Sequence, residues 1–162
     1  MPKDRYLCDT MKKYRIELSE KQLQVYREAL ECYSRFLAGQ VSEMCNSVST
    51  RTTGRFTWDH DYRGDDPVSS AAASLKKALF PELEQGASYG IGYASDEKTD
   101  LENCRQVSYE MYREVRHHFA VKEADAASLN GERAQYNVYL SNTLQYSDEP
   151  RPKVEEMDAP DA

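Results

Sequence analysis

The sequence lacks the features that place a protein in a membrane or direct it to secretion. No apolar run approaches the roughly 20 residues that a helix needs to cross a bilayer. The first residues also contain no apolar core of a secretory signal. Cysteine is scarce and forms no CxxC pair; the four cysteines are Cys8, Cys32, Cys45 and Cys104. A reduced, cytoplasmic protein is therefore expected.

Sequence signatures of catalysis are missing as well. The glycines of GASYGIG, residues 86–92, fit neither GxxxxGK[ST] nor GxGxxG, and no predicted strand leads into them. Adjacent His117 and His118 cannot both face one metal ion from a regular helix, and His60 is the only other histidine. No nucleophile is paired with a base. We expect a non-enzymatic protein without a cofactor or a bound metal.

Positive charge is in deficit, because the formal net charge is −7. Six acids and two bases lie in 147–162, so the acidic excess is concentrated at the end of the chain. General DNA or RNA binding depends on summed positive charge at phosphates, and this composition argues against it. A small anionic ligand remains possible because it needs only two or three well-placed donors.

The most regular stretch, Leu18–Met44, predicts a long amphipathic helix. Ser19 and Gln22 form the pattern of a capping box at its start. Two apolar stripes share one broad face: Leu23, Tyr26, Leu30, Tyr33, Leu37, Val41 and Met44, and beside them Val25, Ala29, Cys32 and Phe36. A chain this short offers limited cover for such a face, so we expect a homodimer formed through it.

Arg35 lies toward the edge of that face and has two interpretations. It is either a surface arginine whose aliphatic stem covers apolar neighbours, or a fixed cation in a pocket at an interface.

Two further helices are predicted. Asp66 and Pro67 mark the start of the second, which runs to about Phe80 before Pro81. Its predicted inward residues are Val68, Ala71, Ala72, Leu75, Ala78 and Leu79. Ser95 or Thr99 caps the third, which runs to about Phe119 before a polar loop over 120–132. Its predicted inner stripe is Leu101, Cys104, Val107, Met111 and Val115.

Alternating apolar and polar residues predict two short strands, over 14–18 and 136–141, and 144–146 extends or pairs with the second. The predicted fold is therefore α+β, with long amphipathic helices packed on a small antiparallel sheet. We expect a flexible extension over 1–13, a single ligand-binding domain over 14–155 and a disordered acidic tail over 156–162. Met11 is an alternative start.

Two segments combine arginines with rings, the pairing that binds phosphate and stacks on bases. The loop over 51–63 interleaves Arg51, Arg55 and Arg63 with Phe56, Trp58, His60 and Tyr62, and the alternative is a surface insertion. The segment REVRHH places Arg113, Arg116 and His117 on one side of the third helix. There the alternative is favourable interaction with the helix dipole.

Five sequence blocks in this order resemble the first type of Thoeris anti-defence proteins, a family of phage cyclic-nucleotide sponges. The blocks are ALECYSRFLAGQ, LKKALFPEL, SYGIG, YEMYREVRHH and YSDEPRPKVE. The resemblance covers about 14–155. It implies binding of glycocyclic ADP-ribose, and of cyclic di- or trinucleotides of CBASS systems, without cleavage, in the cytoplasm of the infected host. It also implies a homodimer or a hexamer built as a trimer of dimers.

The resemblance further implies three kinds of ligand-binding residue. Arg35, within YSRFLAGQ, matches an expected pocket arginine of the long helix. Tyr109 or Tyr112 matches an expected ring that stacks on adenine, and Arg133 or Arg151 matches an expected arginine near the C-terminal strands. With Arg113, Arg116 and His117 these form the predicted site. The 51–64 loop is extra length relative to shorter relatives, so its part in binding stays open.

Two other function classes remain. A phage inhibitor that docks on a host protein would use the helix face or the acidic tail. A cyclic-nucleotide hydrolase would return products instead of intact ligand.

Overall fold

The computed structural model describes residues 14–45, 48, 67–92, 99–131, 138–140 and 145–157. Three helices dominate these residues: α1 (Glu20–Leu37), α2 (Pro67–Leu79) and α3 (Asp100–Leu129). Residues 41–45 are also helical, and a 3₁₀ helix spans Val138–Leu140. Within the described residues no helix is long and apolar enough to cross a membrane.

The predicted α+β fold is wrong, because the described part of the chain contains helices and no strand. Residues 14–18 have no strand pairing, 138–140 form the 3₁₀ helix, and 145–146 are irregular. The remainder of the second predicted strand lies outside the described residues. Alternation was a poor guide here because a short alternating segment becomes a strand only when another strand accepts its hydrogen bonds.

The start of α1 is confirmed, since Ser19 and Gln22 form the predicted capping box. Its end comes earlier than Met44, because the backbone turns at Gly39 with a φ of 78°. The amide of Gln40 donates to the Arg35 carbonyl (2.9 Å) and that of Gly39 to the Phe36 carbonyl (2.9 Å). This pair of bonds is a Schellman motif, which favours glycine at that position. Helical structure resumes over 41–45.

The third helix starts as predicted, with Thr99 and Glu102 in a capping box, but it extends ten residues beyond Phe119 to Leu129. The predicted polar loop over 120–132 is therefore wrong for 120–129. That stretch, AVKEADAASL, contains four alanines, and alanine is the strongest helix former. The loop prediction rested only on the polar composition of residues 120–132.

The buried side of α3 also differs from the predicted stripe. Leu101 and Cys104 are exposed, whereas Glu102, Arg105 and Gln106 are buried. Further along, Val115, Phe119 and Ala120 are buried against the rest of the molecule. Glu102 can take an inward position because the capping box gives its carboxylate a partner in the backbone amide of Thr99.

Helices α1 and α3 pack antiparallel. Lys122, near the end of α3, pairs with Glu20 at the start of α1 across 3.0 Å. The guanidinium of Arg27 lies 5.4 Å from the centre of the Phe119 ring. At the other end, Glu31 and Arg35 of α1 lie near enough to Tyr112 for their charges to interact with its hydroxyl. The predicted apolar face of α1 is thus partly covered by α3, although Val25 and Tyr33 remain exposed.

A second core joins the end of α1 to α2. Val41, Ala72 and Phe80 are buried, and the Phe80 ring meets the rings of Phe36 and Tyr89 edge-on, each with centroids 6.3 Å apart. Of the predicted inward residues of α2, only Ala72 is fully buried, and Ala71, Leu75, Ala78 and Leu79 are exposed.

Lys76, predicted to be neither inward nor functional, is buried beside this second core. Its ammonium donates to the carbonyl oxygens of Gln85 (2.8 Å) and Ala87. The two bonds hold the loop after α2 against the helix. They also give the buried ammonium polar partners, without which burying its charge would be costly.

Candidate anion-binding site

One face of α3 carries four of the predicted site residues at helical spacing: Tyr109, Tyr112, Arg113 and Arg116. The 3₁₀ helix brings Tyr139 against the same face. We call these five residues together with His117 the arginine–tyrosine cluster. All members are at least partly buried, so their side chains are held in place by neighbours.

Tyr139 is the centre of the cluster. The guanidinium of Arg116 lies 4.0 Å from the centre of its ring, and that of Arg113 lies 4.8 Å from it. Arg116 also approaches the Tyr112 ring at 5.9 Å. Guanidinium groups at these distances are attracted by the electron-rich ring faces. Two positive groups are thus held at one ring, Tyr139, and not by any acid that the structure describes.

Neither of these two arginines forms an ion pair with a carboxylate among the residues that the structure describes. A guanidinium has five N–H donors and no acceptor, and stacking uses its face rather than its edge. Arg113 and Arg116 therefore retain charge and in-plane donors for an anionic group. Phosphate suits this arrangement because guanidinium donors match two of its oxygens at once.

His117 holds the backbone of Tyr139 through a hydrogen bond. Its Nδ1 lies 2.7 Å from the backbone carbonyl oxygen of Tyr139. A carbonyl oxygen can only accept a hydrogen bond, so Nδ1 carries the proton and donates it. The other ring nitrogen is then an acceptor in the neutral ring and a donor in the charged ring. His117 therefore acts first as a positioning residue for the 3₁₀ helix.

A row of tyrosine rings extends the cluster along α3. The hydroxyls of Tyr112 and Tyr139 lie 3.3 Å apart. Tyr109 lies between Tyr112 and Tyr146, with ring centroids 5.8 and 6.2 Å away. Burial, reinforced by the Tyr139 hydrogen bond and the Glu31 charge, raises the pKa of Tyr112 far above its ordinary value. The Tyr112 phenol stays neutral, and the row is an uncharged aromatic surface beside two cations.

Glu110 holds the end of this row in place. One oxygen of its buried carboxylate accepts from the amides of Tyr146 and Ser147, the latter at 2.5 Å. The other oxygen accepts from the Ser147 hydroxyl at 2.6 Å. Tyr146 also packs on Gly92, where an added Cβ would lie 3.1 Å from its ring. This buried acid thus anchors the C-terminal segment to α3.

Arg35 lies on α1 and is already bound to acids. Its Nε and Nη2 each donate to Glu31 (3.1 Å), and its Nη1 donates to Gln40 (3.0 Å) and to Glu43. Burial by itself lowers the pKa of this guanidinium, but Glu43 and Glu31 outweigh burial and raise the pKa above its usual value. Tyr112, a member of the cluster, adds a smaller charge effect that also raises the pKa of Arg35.

Arg151 lies against the same helix but is paired with an acid. It donates to Glu114 of α3 from an exposed position, and both residues line a cavity of about 320 Å³ with residues 152–155 of the C-terminal segment. Arg133 and the basic–aromatic loop over 51–63 lie outside the described residues. The structure therefore brings together Tyr109, Tyr112, Arg113, Arg116 and His117, and it pairs Arg35 and Arg151 with acids, Glu31 and Glu43 for the first and Glu114 for the second.

Sequence analysis missed Tyr139, Tyr146 and Glu110. Tyr139 had been placed on a predicted strand, and its approach to α3 is a long-range contact that no local pattern reveals. The one available signal was the density of tyrosine, of which the chain has 12. Tyrosine in such numbers favours binding surfaces with an apolar body and a polar tip.

A second cavity, of about 350 Å³, lies between the end of α2 and the start of α3. Arg105 lies in its wall with the guanidinium 5.3 Å from the centre of the Tyr89 ring. Glu82 and Glu102 also line it, so its polar groups carry both signs of charge. None of the predicted site residues lines this cavity. Among the described residues no group of three histidine, cysteine or acidic side chains is arranged to hold a metal ion.

No family model, curated protein or solved structure matches this chain.

Proposed function

We propose that this chain binds an anionic cyclic nucleotide at the arginine–tyrosine cluster and sequesters it without cleavage. The observation that carries the proposal is the pair of guanidiniums, Arg113 and Arg116, stacked on Tyr139 with no carboxylate neutralising them among the described residues. Glycocyclic ADP-ribose is the ligand that the five resembling sequence blocks imply. The setting implied with it is the cytoplasm of an infected bacterium.

The chemistry of the cluster matches a nucleotide in two respects. The in-plane donors of Arg113 and Arg116 suit phosphate oxygens, and hydrogen bonds to a charged group contribute about 1.5–3 kcal/mol each. The Tyr109 ring is partly exposed and offers surface on which a base can stack, at about 1–3 kcal/mol per base, whereas the Tyr112 ring is only 3% exposed and packs against Tyr109. Cyclic di- and trinucleotides carry the same two kinds of group and are proposed as further ligands.

Sequestration places a demand on affinity. A signal present at nanomolar concentration is removed only by nanomolar binding, which corresponds to about −12 kcal/mol. A cluster on the surface of one chain contacts only part of the ligand, which makes nanomolar affinity hard to reach. We therefore include a homodimer, or a hexamer of three dimers, in the proposal, because a pocket shared between chains surrounds more of a compact ligand.

Calorimetric titration of glycocyclic ADP-ribose tests the proposal. We expect Arg116→Ala to weaken binding about 30-fold, equivalent to about 2 kcal/mol, since a phosphate loses a charge-assisted partner. Lys122→Ala is the matched control, because it removes a positive charge from the same helix at a residue that binds Glu20 and Glu156 instead. Equal loss in both variants would contradict a specific site.

The fate of the ligand separates the rival functions. After incubation and heat denaturation of the protein, a sponge releases the intact cyclic nucleotide, whereas a hydrolase releases products. A protein that acts by docking on a host protein leaves the nucleotide in solution throughout. Absence of binding by the wild-type chain would overturn the proposal in favour of docking.

A further inference from the structure

The last ring of the tyrosine row belongs to the C-terminal segment and not to α3. The Tyr146 ring lies beside the Tyr109 ring, with centroids 6.2 Å apart and ring planes inclined by 57°. Both residues are partly exposed, in contrast to the buried Tyr112. A planar group that stacks on one of two inclined rings can meet the edge of the other, which is a favourable aromatic contact. We call Tyr109 and Tyr146 the exposed ring pair.

The exposed ring pair and the two cations occupy different parts of the same helix face. Arg113 follows Tyr109 by one turn of α3, about 6 Å along the axis, and Arg116 follows by two turns. Both guanidiniums lie against the Tyr139 ring, whereas Tyr146 packs on Tyr109. This face therefore offers accessible rings at one end and positive charge at the other.

Glu110 holds the backbone that carries the Tyr146 ring. Its side chain is buried, and the carboxylate accepts from the amides of Tyr146 and Ser147 and from the Ser147 hydroxyl. Glu110 directly follows Tyr109 in α3, so both members of the exposed ring pair are tied to neighbouring positions of one helix. The carboxylate thus determines where the C-terminal ring can lie relative to Tyr109.

Gly92 provides the space that the Tyr146 ring fills. A Cβ added at Gly92 would lie 3.1 Å from both Cδ1 and Cε1 of that ring, which is too close for the ring to stay in place. Unlike Gly39, Gly92 does not have a positive φ, so the backbone itself does not require glycine here. Gly92 ends the block SYGIG, for which sequence analysis found no phosphate-binding role. The structure gives its last glycine a role in packing.

We propose that Glu110 and Gly92 are positioning residues of the nucleotide site, because together they hold the Tyr146 ring against Tyr109. This inference rests on the proposed function and adds Tyr146 to the residues that contact the ligand. It also makes attachment of the C-terminal segment part of ligand binding. Because coupling is reciprocal, a ligand that contacts Tyr146 must in turn stabilise the attached segment.

Calorimetric titration of glycocyclic ADP-ribose tests the role of the ring and of the acid. We expect Tyr146→Ala to weaken binding about 10-fold through lost stacking, whereas Tyr146→Phe should stay within a few-fold of wild type. Glu110→Ala should cause a similar loss, since the amides of Tyr146 and Ser147 lose their acceptor. Glu110→Gln should recover most of it, because its oxygen still accepts from both amides and its amino group can donate to the Ser147 hydroxyl.

A substitution at Gly92 tests the seat of the ring without touching the acid. Gly92→Val should weaken binding because the added side chain displaces the Tyr146 ring. Gly86→Val is the matched control, since Gly86 lies in the same loop, is exposed and has nothing within 4 Å of an added Cβ. Gly86→Val should therefore bind as the wild type does.

Two further readouts separate positioning from a general effect on stability. If both residues act through Tyr146, then Glu110→Ala and Gly92→Val should cost no additional affinity in a chain that already carries Tyr146→Ala. In the wild type, the nucleotide should also slow hydrogen exchange of the Tyr146 and Ser147 amides, which donate to Glu110.

The outcomes distinguish this inference from the function on which it rests. Wild-type affinity in Tyr146→Ala would overturn the inference alone, because the wild type still binds the nucleotide. The same would follow if Glu110→Ala caused equal losses with and without the Tyr146 ring, or if Gly86→Val and Gly92→Val lost affinity alike. Absence of binding by the wild-type chain would overturn the proposed function and this inference together.

Discussion

The guanidinium of Arg116 lies 4.0 Å from the centre of the Tyr139 ring, so the middle of α3 and a 3₁₀ turn beyond its end form one surface. The ring holds the cation without neutralising it, because attraction to a ring face leaves the net charge unchanged. An acid in the same place would remove the charge that a phosphate needs. The tyrosine is therefore as important to the proposed site as the arginine.

Two substitutions of Tyr139 should separate the contribution of its ring from that of its hydroxyl group. We expect Tyr139→Ala to weaken nucleotide binding by about 1–3 kcal/mol, since Arg113 and Arg116 lose their common support. Tyr139→Phe keeps the ring and loses the 3.3 Å hydroxyl contact with Tyr112, so its affinity should stay within a few-fold of wild type. Calorimetry measures both, and similar losses in the two variants would argue against a stacking role.

We expect the guanidinium of Arg35 to release one of its carboxylate partners and to bind a phosphate of the ligand instead. Arg35→Ala should weaken binding by about 2 kcal/mol, and Arg35→Lys should recover only part of this because the planar fork is lost. Glu43→Gln should strengthen binding, because Glu43 competes for the same guanidinium. Equal affinities for wild type and all three variants would remove Arg35 from the site and leave it as a residue that stabilises the end of α1.

Stability should fall in alkaline solution because of Tyr112. Burial raises the pKa of Tyr112 in the folded chain above its ordinary value of 10.0. The folded state therefore keeps this proton after the unfolded state has lost it, and stability decreases as the pH rises above about 10. The slope per such group reaches about 1.4 kcal/mol per pH unit.

Urea unfolding at pH 9 and pH 11 measures this effect. Tyr112→Phe should reduce the loss of stability between the two values, whereas Tyr33→Phe, at an exposed position of α1, should not. Some loss remains in Tyr112→Phe because burial also raises the pKa of Tyr26. An identical pH dependence in wild type and Tyr112→Phe would show that Tyr112 ionises with the same pKa in both states.

Gly39 should tolerate no side chain. Its φ is 78°, and an added Cβ would lie 2.6 Å from Leu83 Cδ1. We expect Gly39→Ala to destabilise the fold by about 1–3 kcal/mol from backbone strain alone, with the contact adding to this. Gly131→Ala is the matched control, because its φ is 71° but nothing lies within 4 Å of an added Cβ. Thermal or urea unfolding that ranked the two alike would show that Leu83 moves aside without cost.

The helix starts were predictable because capping is local. Ser19 with Gln22, and Thr99 with Glu102, lie three residues apart in sequence and bond to each other in the structure. The inward side of α3 was not predictable, since the buried Arg105 packs on Tyr89, which lies 16 residues earlier in the loop after α2. The strands failed for the same reason, because whether 14–18 or 136–141 pairs depends on what lies beside it and not on its own alternation.

The site was predictable in part. Arg113, Arg116 and His117 were found because helical spacing places them together. Tyr139 was missed because its role depends on a turn whose position is set by His117, a contact between residues 22 apart. Arg35 was identified by resemblance. Its pair with Glu31 follows from i,i+4 spacing within α1, but its bond to Glu43 emerges only when the chain turns back at Gly39.

The ion pairs of Lys122 show how far apart in sequence the packed helices lie. Its ammonium binds Glu20, which is 102 residues earlier, and Glu156, which is 34 residues later. The α1–α3 pair therefore has high contact order, and its formation must follow closure of a long loop. An isolated α1 cannot bury its apolar face, and α3 alone would expose Val115 and Phe119. We therefore expect α1 and α3 to fold cooperatively, with a single slow kinetic step rather than stepwise assembly of preformed helices.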